Sequence, residues 1–282
     1  MIKTRLGAMI GGAFWTPGVT ILGPSSQNLT QLIKSLFSLG EQGFAYDPND
    51  LSTLYQDAAG TIPVTATGQP VGLMKDKSGR NNHAYQTVSA SRPILQRNAT
   101  TGAYYLAFDG VDDFLVTNNI DFTMTDKVSL FAGVRKLSDA STGLVCELGP
   151  NVDVTNGTFS IMAPAFAGAE KFRIVARGSV LRSASTASLD YSAPKSAVVT
   201  SNISLQTPLI ELRINGVSVQ KSTLDLGGGN LSNNSLCIGR RLAGILPFNG
   251  HIYSLIGLGR LTTDSETIAL EKSIAKNVGV TL

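Results

Sequence analysis

Apolar and polar residues alternate with period two through much of this chain. Tyr104, Leu106 and Phe108 fall on one face of a strand, as do Val128, Leu130, Ala132 and Val134, and again Leu144, Cys146 and Leu148. Phe172, Ile174 and Ala176 alternate with Arg173, Val175 and Arg177, and Ile252, Ser254, Ile256 and Leu258 mark a late strand. Turn residues interrupt the pattern at roughly eight- to twelve-residue intervals, the spacing of an all-β sandwich. At Asn215-Gly216 both residues tolerate the positive φ of a type I′ turn. A two-residue loop there sets Ile214 opposite Val217 and Leu212 opposite Val219, with Arg213 facing Ser218 and Glu211 facing Gln220 on the other side.

Two segments switch to helical spacing. Leu29, Leu32, Ile33, Leu36 and Phe37 form one stripe, with Asn28 or Ser26 available as N-cap and Gly40 as terminator. So short a helix is marginal alone, and its apolar face must be covered by the chain's own sandwich or by a partner. Near the C-terminus, Thr263 and Glu266 make a capping box, Leu270, Ile274 and Val278 form a stripe, and Gly279 ends the helix. Strands between two peripheral helices indicate a sandwich and not a βαβ fold.

Composition narrows the function classes. The 282 residues are 43% hydrophobic, which excludes global disorder, and only 15% charged, with a net charge of +3 that does not argue for a nucleic-acid partner. Two Cys and two His cannot build a disulfide scaffold or a Cys/His zinc module. No apolar run reaches the roughly 18 residues of a membrane-spanning helix. The start, Lys3 and Arg5 followed by Leu6 to Trp15, has the outline of a signal peptide. However, it contains Gly7, Gly11 and Gly12, stops at Thr16-Pro17-Gly18 and lacks a clear cleavage site, so it reads as an arm anchored on a partner by Trp15.

Catalytic motifs are missing. There is no HExxH, no G-x-S-x-G and no Walker A loop; Gly227-Gly228-Gly229 is followed by Asn230-Leu231-Ser232 and reads as a surface loop. Asp109, Asp112 and Asp113 admit two readings, a turn shaped by side chain to backbone hydrogen bonds or a calcium site. His83 reads as a hydrogen-bonded structural residue, and Cys146 and Cys237 as small, unpaired core residues. Arg240-Arg241 offers either a solvated pair or a grip on an anionic glycan or a neighbouring subunit. Sequons such as Asn28 and Asn98 follow from the Asn/Ser/Thr-rich composition.

Several segments, in order, resemble one family. Tyr104 to Leu115 is similar to the F-D-G-x-D-D-aromatic-aliphatic signature of concanavalin A-like lectin/glucanase (laminin-G-like) jelly rolls. Asp76 to Ala84 resembles the D-x-S-G-x-x-N-H-A stretch that opens such domains, Glu211 to Val219 their hairpin, and Ser235 to Arg240 with Phe248 to Ile252 their closing strands. The resemblance implies a concanavalin A-like jelly-roll β-sandwich over residues 44–282, preceded by an arm and docking helix over residues 1–43. Hydrolytic members of that fold carry an E-x-D-x-E run on one strand. None of the six Glu here begins one, and Glu211 is followed by Leu212-Arg213-Ile214, so no enzyme activity, cofactor or metal is expected.

Gly43 to Asp57, with Pro70 to Met74, resembles virion proteins of tailed bacteriophages. This implies a non-enzymatic structural protein of the virion, assembled in the host cytoplasm, at the tail fibre or tail tip. Trp15, Leu32, Leu36 and Phe37 are then expected to contact other virion proteins, and the sandwich to bind host-surface glycan as a receptor-binding module. A homotrimer is expected, with neither nucleic-acid binding nor membrane insertion. The alternatives are a capsid decoration protein without a receptor role and a secreted bacterial carbohydrate-binding module.

Overall fold

The computed structural model describes residues 28–186 and 191–282; the arm with Trp15, and Ser26, lie outside the described residues. The elements run α1 (Leu29–Leu36), β1 (Gly43–Tyr46), β2 (Leu54–Tyr55), β3 (Leu73–Met74), β4 (Ala84–Tyr85), β5 (Ile94–Arg97) and β6 (Tyr104–Asp109). They continue with β7 (Leu115–Asp121), β8 (Lys127–Lys136), β9 (Leu144–Leu148), β10 (Thr158–Met162), β11 (Arg173–Arg177) and β12 (Leu181–Ser185). The last are β13 (Lys195–Ser204), β14 (Leu209–Ile214), β15 (Val217–Ser222), β16 (Asn233–Ile238), β17 (Asn249–Leu258) and α2 (Asp264–Val278).

The alternating segments stack as two antiparallel sheets, the sandwich expected from their period. The first sheet has the order β15-β14-β13-β8-β17-β6-β5, with β1 also paired to β17. The second has the order β12-β11-β10-β9-β16-β7-β4-β3-β2. Leu106, Phe108 and the Val128 to Val134 stripe point between the sheets, where they share one apolar cluster with Phe159, Phe172, Ile174 and Phe248. Burying each large side chain there contributes on the order of 2–3 kcal/mol.

The outer face of the first sheet is covered in part by the two helices. Asn28 caps α1 through a capping box with Gln31, and α1 ends at Leu36, one turn before Gly40. Leu32, Leu36 and Phe37 are buried with Ile33 against Phe131, Ile256, Leu258 and the α2 residues Leu270 and Ile274. This corrects their assignment to other virion proteins: an amphipathic stripe needs cover, and here the chain's own sheet and α2 supply it. Arg260 ties the two helices together, reaching Glu41 at 3.0 Å and Glu266 at 2.7 Å. Helix α2 begins at the Thr263–Glu266 capping box and ends at Gly279 in the left-handed conformation. It lies so close to β8 that a Cβ on Gly133 would sit 2.7 Å from Ile274 and 2.8 Å from Val278.

Register shifts interrupt four of the strand pairs, β9–β10, β7–β16, β14–β15 and β8–β17, and the last two change which residues pair or face the core. The Asn215-Gly216 turn forms and pairs Ile214 with Val217 and Arg213 with Ser218, but a bulge then pairs Leu212 with Gln220 and Glu211 with Lys221. The extra residue is Val219, so the expected Leu212–Val219 and Glu211–Gln220 pairs do not form. In β17 a second bulge falls between Ile252 and Ser254. Ile252 and Leu255 therefore face the main core, while Tyr253, Ile256 and Leu258 face outward toward the helices.

Candidate functional site

Two of the sequence motifs, the Tyr104 to Leu115 signature and the closing strands, meet at one end of the sandwich. β6 and β17 pair Asp109 with Asn249 and Phe108 with Gly250. Gly239 of the next motif lies against Phe108, and its carbonyl accepts a 2.7 Å hydrogen bond from the Phe248 N–H. Asp109 Oδ1 accepts the N–H groups of Val111 at 2.8 Å and Asp112 at 3.3 Å, and Asp113 Oδ2 accepts the Asp109 N–H at 3.0 Å. Asp112 Oδ2 accepts the Ser91 hydroxyl at 2.6 Å. The carboxylates thus close a turn across Gly110, whose φ of +76° suits glycine. Oxygens of Asp109, Asp112 and Asp113 lie within 4.8 Å of one another, but these hydrogen bonds already occupy one oxygen of each.

Burial, with repulsion from Asp109 and Asp112, lifts the Asp113 carboxyl to about 6. Between pH 4 and 6 the unfolded chain loses this proton before the folded one, so Asp113 costs stability as pH rises. Asp113→Asn should therefore gain stability over wild type progressively from pH 4 to pH 7 in urea titrations. An equal difference at both pH values would contradict this assignment.

The other sequence candidates take structural places. His83 Nδ1 accepts the Asp76 N–H at 3.0 Å, and Asp76 itself accepts N–H groups of Ala45, Ser78 and Asn82. Cys146 and Cys237 are buried and unpaired; burial raises the Cys146 thiol far above its usual range and pushes Cys237 up to about 12. Glu211 accepts hydrogen bonds from the Ser218 hydroxyl at 2.8 Å and from Asn202 Nδ2 at 3.5 Å. The two arginines are neither a solvated pair nor a joint grip. Arg240 lies flat on Phe114, 3.6 Å from the ring centroid. Arg241 is buried and forks onto fully buried Glu147 at 2.9 and 2.8 Å, with Asp153 at 3.0 Å.

A surface that the motifs did not reveal continues from this turn along the outer face of the first sheet, beyond the end of α2. Leu106 and Phe108 point inward, so Tyr105, Ala107 and Asp109 point outward. Cross-strand pairing aligns Ile94, Ala107, His251, Arg135 and Ser196 in one row, with Gln96 beside Tyr105 in the next. All are half-buried. The row crosses five strands, roughly 19 Å at ordinary strand spacing. Tyr105 stacks on His251 with centroids 4.1 Å apart and leans on Tyr253 at 5.0 Å. The Tyr253 hydroxyl accepts from Asn98 at 3.0 Å, which fixes the stack from beneath. Burial and neighbouring Arg135 hold the His251 imidazole down at about 4, so it is neutral at physiological pH. Its Nδ1 is buried with no hydrogen-bond partner among the described residues. Aromatic faces flanked by neutral and cationic donors suit a polyhydroxylated ring, which has apolar faces and a polar rim. The motifs contain Tyr105 and His251 but do not mark them as a surface, because their neighbours come from β5, β8 and β13; their signal was the polar phase of strands whose apolar phase marks the core.

No family model and no curated protein matches the chain. Solved structures do. The ligand-binding domain of botulinum neurotoxin serotype D, in complex with N-acetylneuraminic acid, aligns with TM-score 0.56 at 10% identity, over 86% of this chain and 52% of that one. Another structure of the serotype D binding domain aligns with TM-score 0.57 at 9% identity, again over 86% and 52%. A botulinum neurotoxin type C structure, from a toxin whose cell entry depends on two ganglioside molecules, gives TM-score 0.56 at 11% identity over 86% and 53%. The chain thus spans about half the length of these structures, and what it shares with these receptor-binding domains is the β-sandwich fold.

Proposed function

We propose that this chain is a non-enzymatic carbohydrate-binding module that contacts glycan through the outer face of its first sheet. The half-buried Tyr105–His251 stack, at the edge of the helix-covered cluster and flanked by Arg135, Gln96 and Ser196, carries this reading. The sandwich is shared with domains whose structures are described with N-acetylneuraminic acid or gangliosides, which supports a glycan ligand. Its carrier is the virion of a tailed phage, at the tail fibre or tip and in three copies, with host-surface glycan as the receptor. The motif resemblance supports that setting. Because α1 spends its apolar stripe on its own sheet, attachment falls to residues 1–27, with Trp15 as the apolar anchor.

On a glycan array, the wild-type chain should retain a defined set of sugars and Tyr105→Ala should lose them, a stacking loss of about 1–2 kcal/mol or roughly tenfold in affinity. Equal retention by a folded Tyr105→Ala would move the site elsewhere. Deleting residues 1–27, and stopping before the Asn28 cap, should leave the melting transition intact and abolish incorporation into particles. Electron microscopy of particles tests the location: density across the head lattice would make the chain a decoration protein, and absence from particles would favour a secreted module.

A further inference from the structure

We infer that the outer face of the second sheet carries a separate anion subsite, built from Arg173 and Phe166, for the carboxylate or sulfate of an acidic saccharide. Ile174 and Ala176 on β11 face the main core, which turns Arg173 and Val175 outward. The Arg173 guanidinium lies over the Phe166 ring, 4.8 Å from its centroid, and Nη2 donates to Ser183 Oγ at 3.0 Å. This fixes the plane of the fork while Nε and Nη1 find no acceptor among the described residues. No carboxylate comes within 4.0 Å of Arg173 among those residues. The acids nearby are committed elsewhere: Glu147 and Asp153 both bond Arg241, and Asp153 also gives its carbonyl to Arg177. Partial burial disfavours the charged guanidinium, and the attraction of Asp153, which is itself paired with Arg241, only partly offsets it.

The surroundings favour a sugar as the bearer of that charge. Phe166 is 51% exposed and offers an apolar ring face next to the fork, where a pyranose can stack while its acid group meets Arg173 bidentately. β11 is paired on both sides, to β10 and β12, so a peptide strand could add only along the edge strand β12 and not across Arg173 itself. The inference stands independently of the first-sheet site, since it uses none of the same residues.

The test is titration of the full chain with hyaluronan hexasaccharide, chondroitin sulfate hexasaccharide, neutral maltohexaose and a hexaglutamate peptide, followed by calorimetry and by chemical shifts. The acidic saccharides should bind, more weakly at high salt, and Arg173→Gln should weaken them at least about tenfold. Phe166→Ala should weaken them several-fold. Arg173→Lys keeps the charge without the fork and should recover only part of the affinity, which also covers the case where Arg173→Gln folds poorly. Absence of acidic-saccharide binding, equal binding of maltohexaose or hexaglutamate, or insensitivity to both Arg173 variants would overturn the proposal. Loss in Tyr105→Ala alone would likewise reject it and place the ligand on the first sheet.

Discussion

Arg241→Met is expected to destabilise the fold by about 3–5 kcal/mol, the cost of stranding a buried charge. Glu147 is fully buried on β9, and its two oxygens accept Arg241 Nε and Nη2 at 2.9 and 2.8 Å. Burial already outweighs the arginine and holds the Glu147 carboxyl above its ordinary range. Without Arg241 the 3.0 Å hydrogen bond from the Val152 N–H is what remains on that carboxylate among the described residues. The penalty should shrink toward pH 4, where Glu147 takes a proton in both folded and unfolded chains and no charge is left to bury. Urea unfolding at pH 4 and pH 7 reads both effects. The double variant Glu147→Met with Arg241→Met should recover most of the loss, because a matched apolar pair carries no desolvation penalty. A single variant within about 1 kcal/mol of wild type would show that this pair is solvated in solution.

Gly239→Ala is the second large effect, expected at about 2–4 kcal/mol from overpacking combined with backbone strain. Gly239 has φ of +93°, where an L side chain is disfavoured. Its Cβ would fall 2.4 Å from Phe108 Cε1 and 3.0 Å from the Asp113 carbonyl oxygen. The ring has little room to retreat, since Phe108 is buried and packed on Phe248 at 6.3 Å. Yielding at the other contact would push the Asp109–Asp113 turn. The variant should therefore melt earlier and, unlike Arg241→Met, perturb the amide signals of Val111 to Asp113. A melting point equal to that of wild type would show that the turn can shift at little cost.

Both positions explain why the motifs could be read while the constellations could not. The glycine of the closing-strand signature and the aspartates of the turn signature sit far apart in the chain, yet each is required by the other's geometry. Local chemistry therefore betrayed them: glycine where φ is positive, aspartate where N–H groups need acceptors. Glu147 and Arg241 carried no such signal, since a lone glutamate on a strand and an arginine pair after a glycine are both ordinary on a surface. Their burial follows from how the loops after β9 and β16 fold over the sheet. The same holds for Tyr105, His251 and Arg135, which became neighbours only through the order of β6, β17 and β8.

Strand and helix identity lay in the sequence alone, because period two, period 3.6, capping boxes and Asn-Gly are local properties that the backbone reads within a few residues. The absence of catalytic motifs belonged there too. Tertiary structure decided the phase of β15 and β17, where bulges at Val219 and Tyr253 absorb one residue and turn the later side chains over. It also decided the covering of α1: an amphipathic face specifies that it must be buried, and only the proximity of the first sheet and α2 specifies by what.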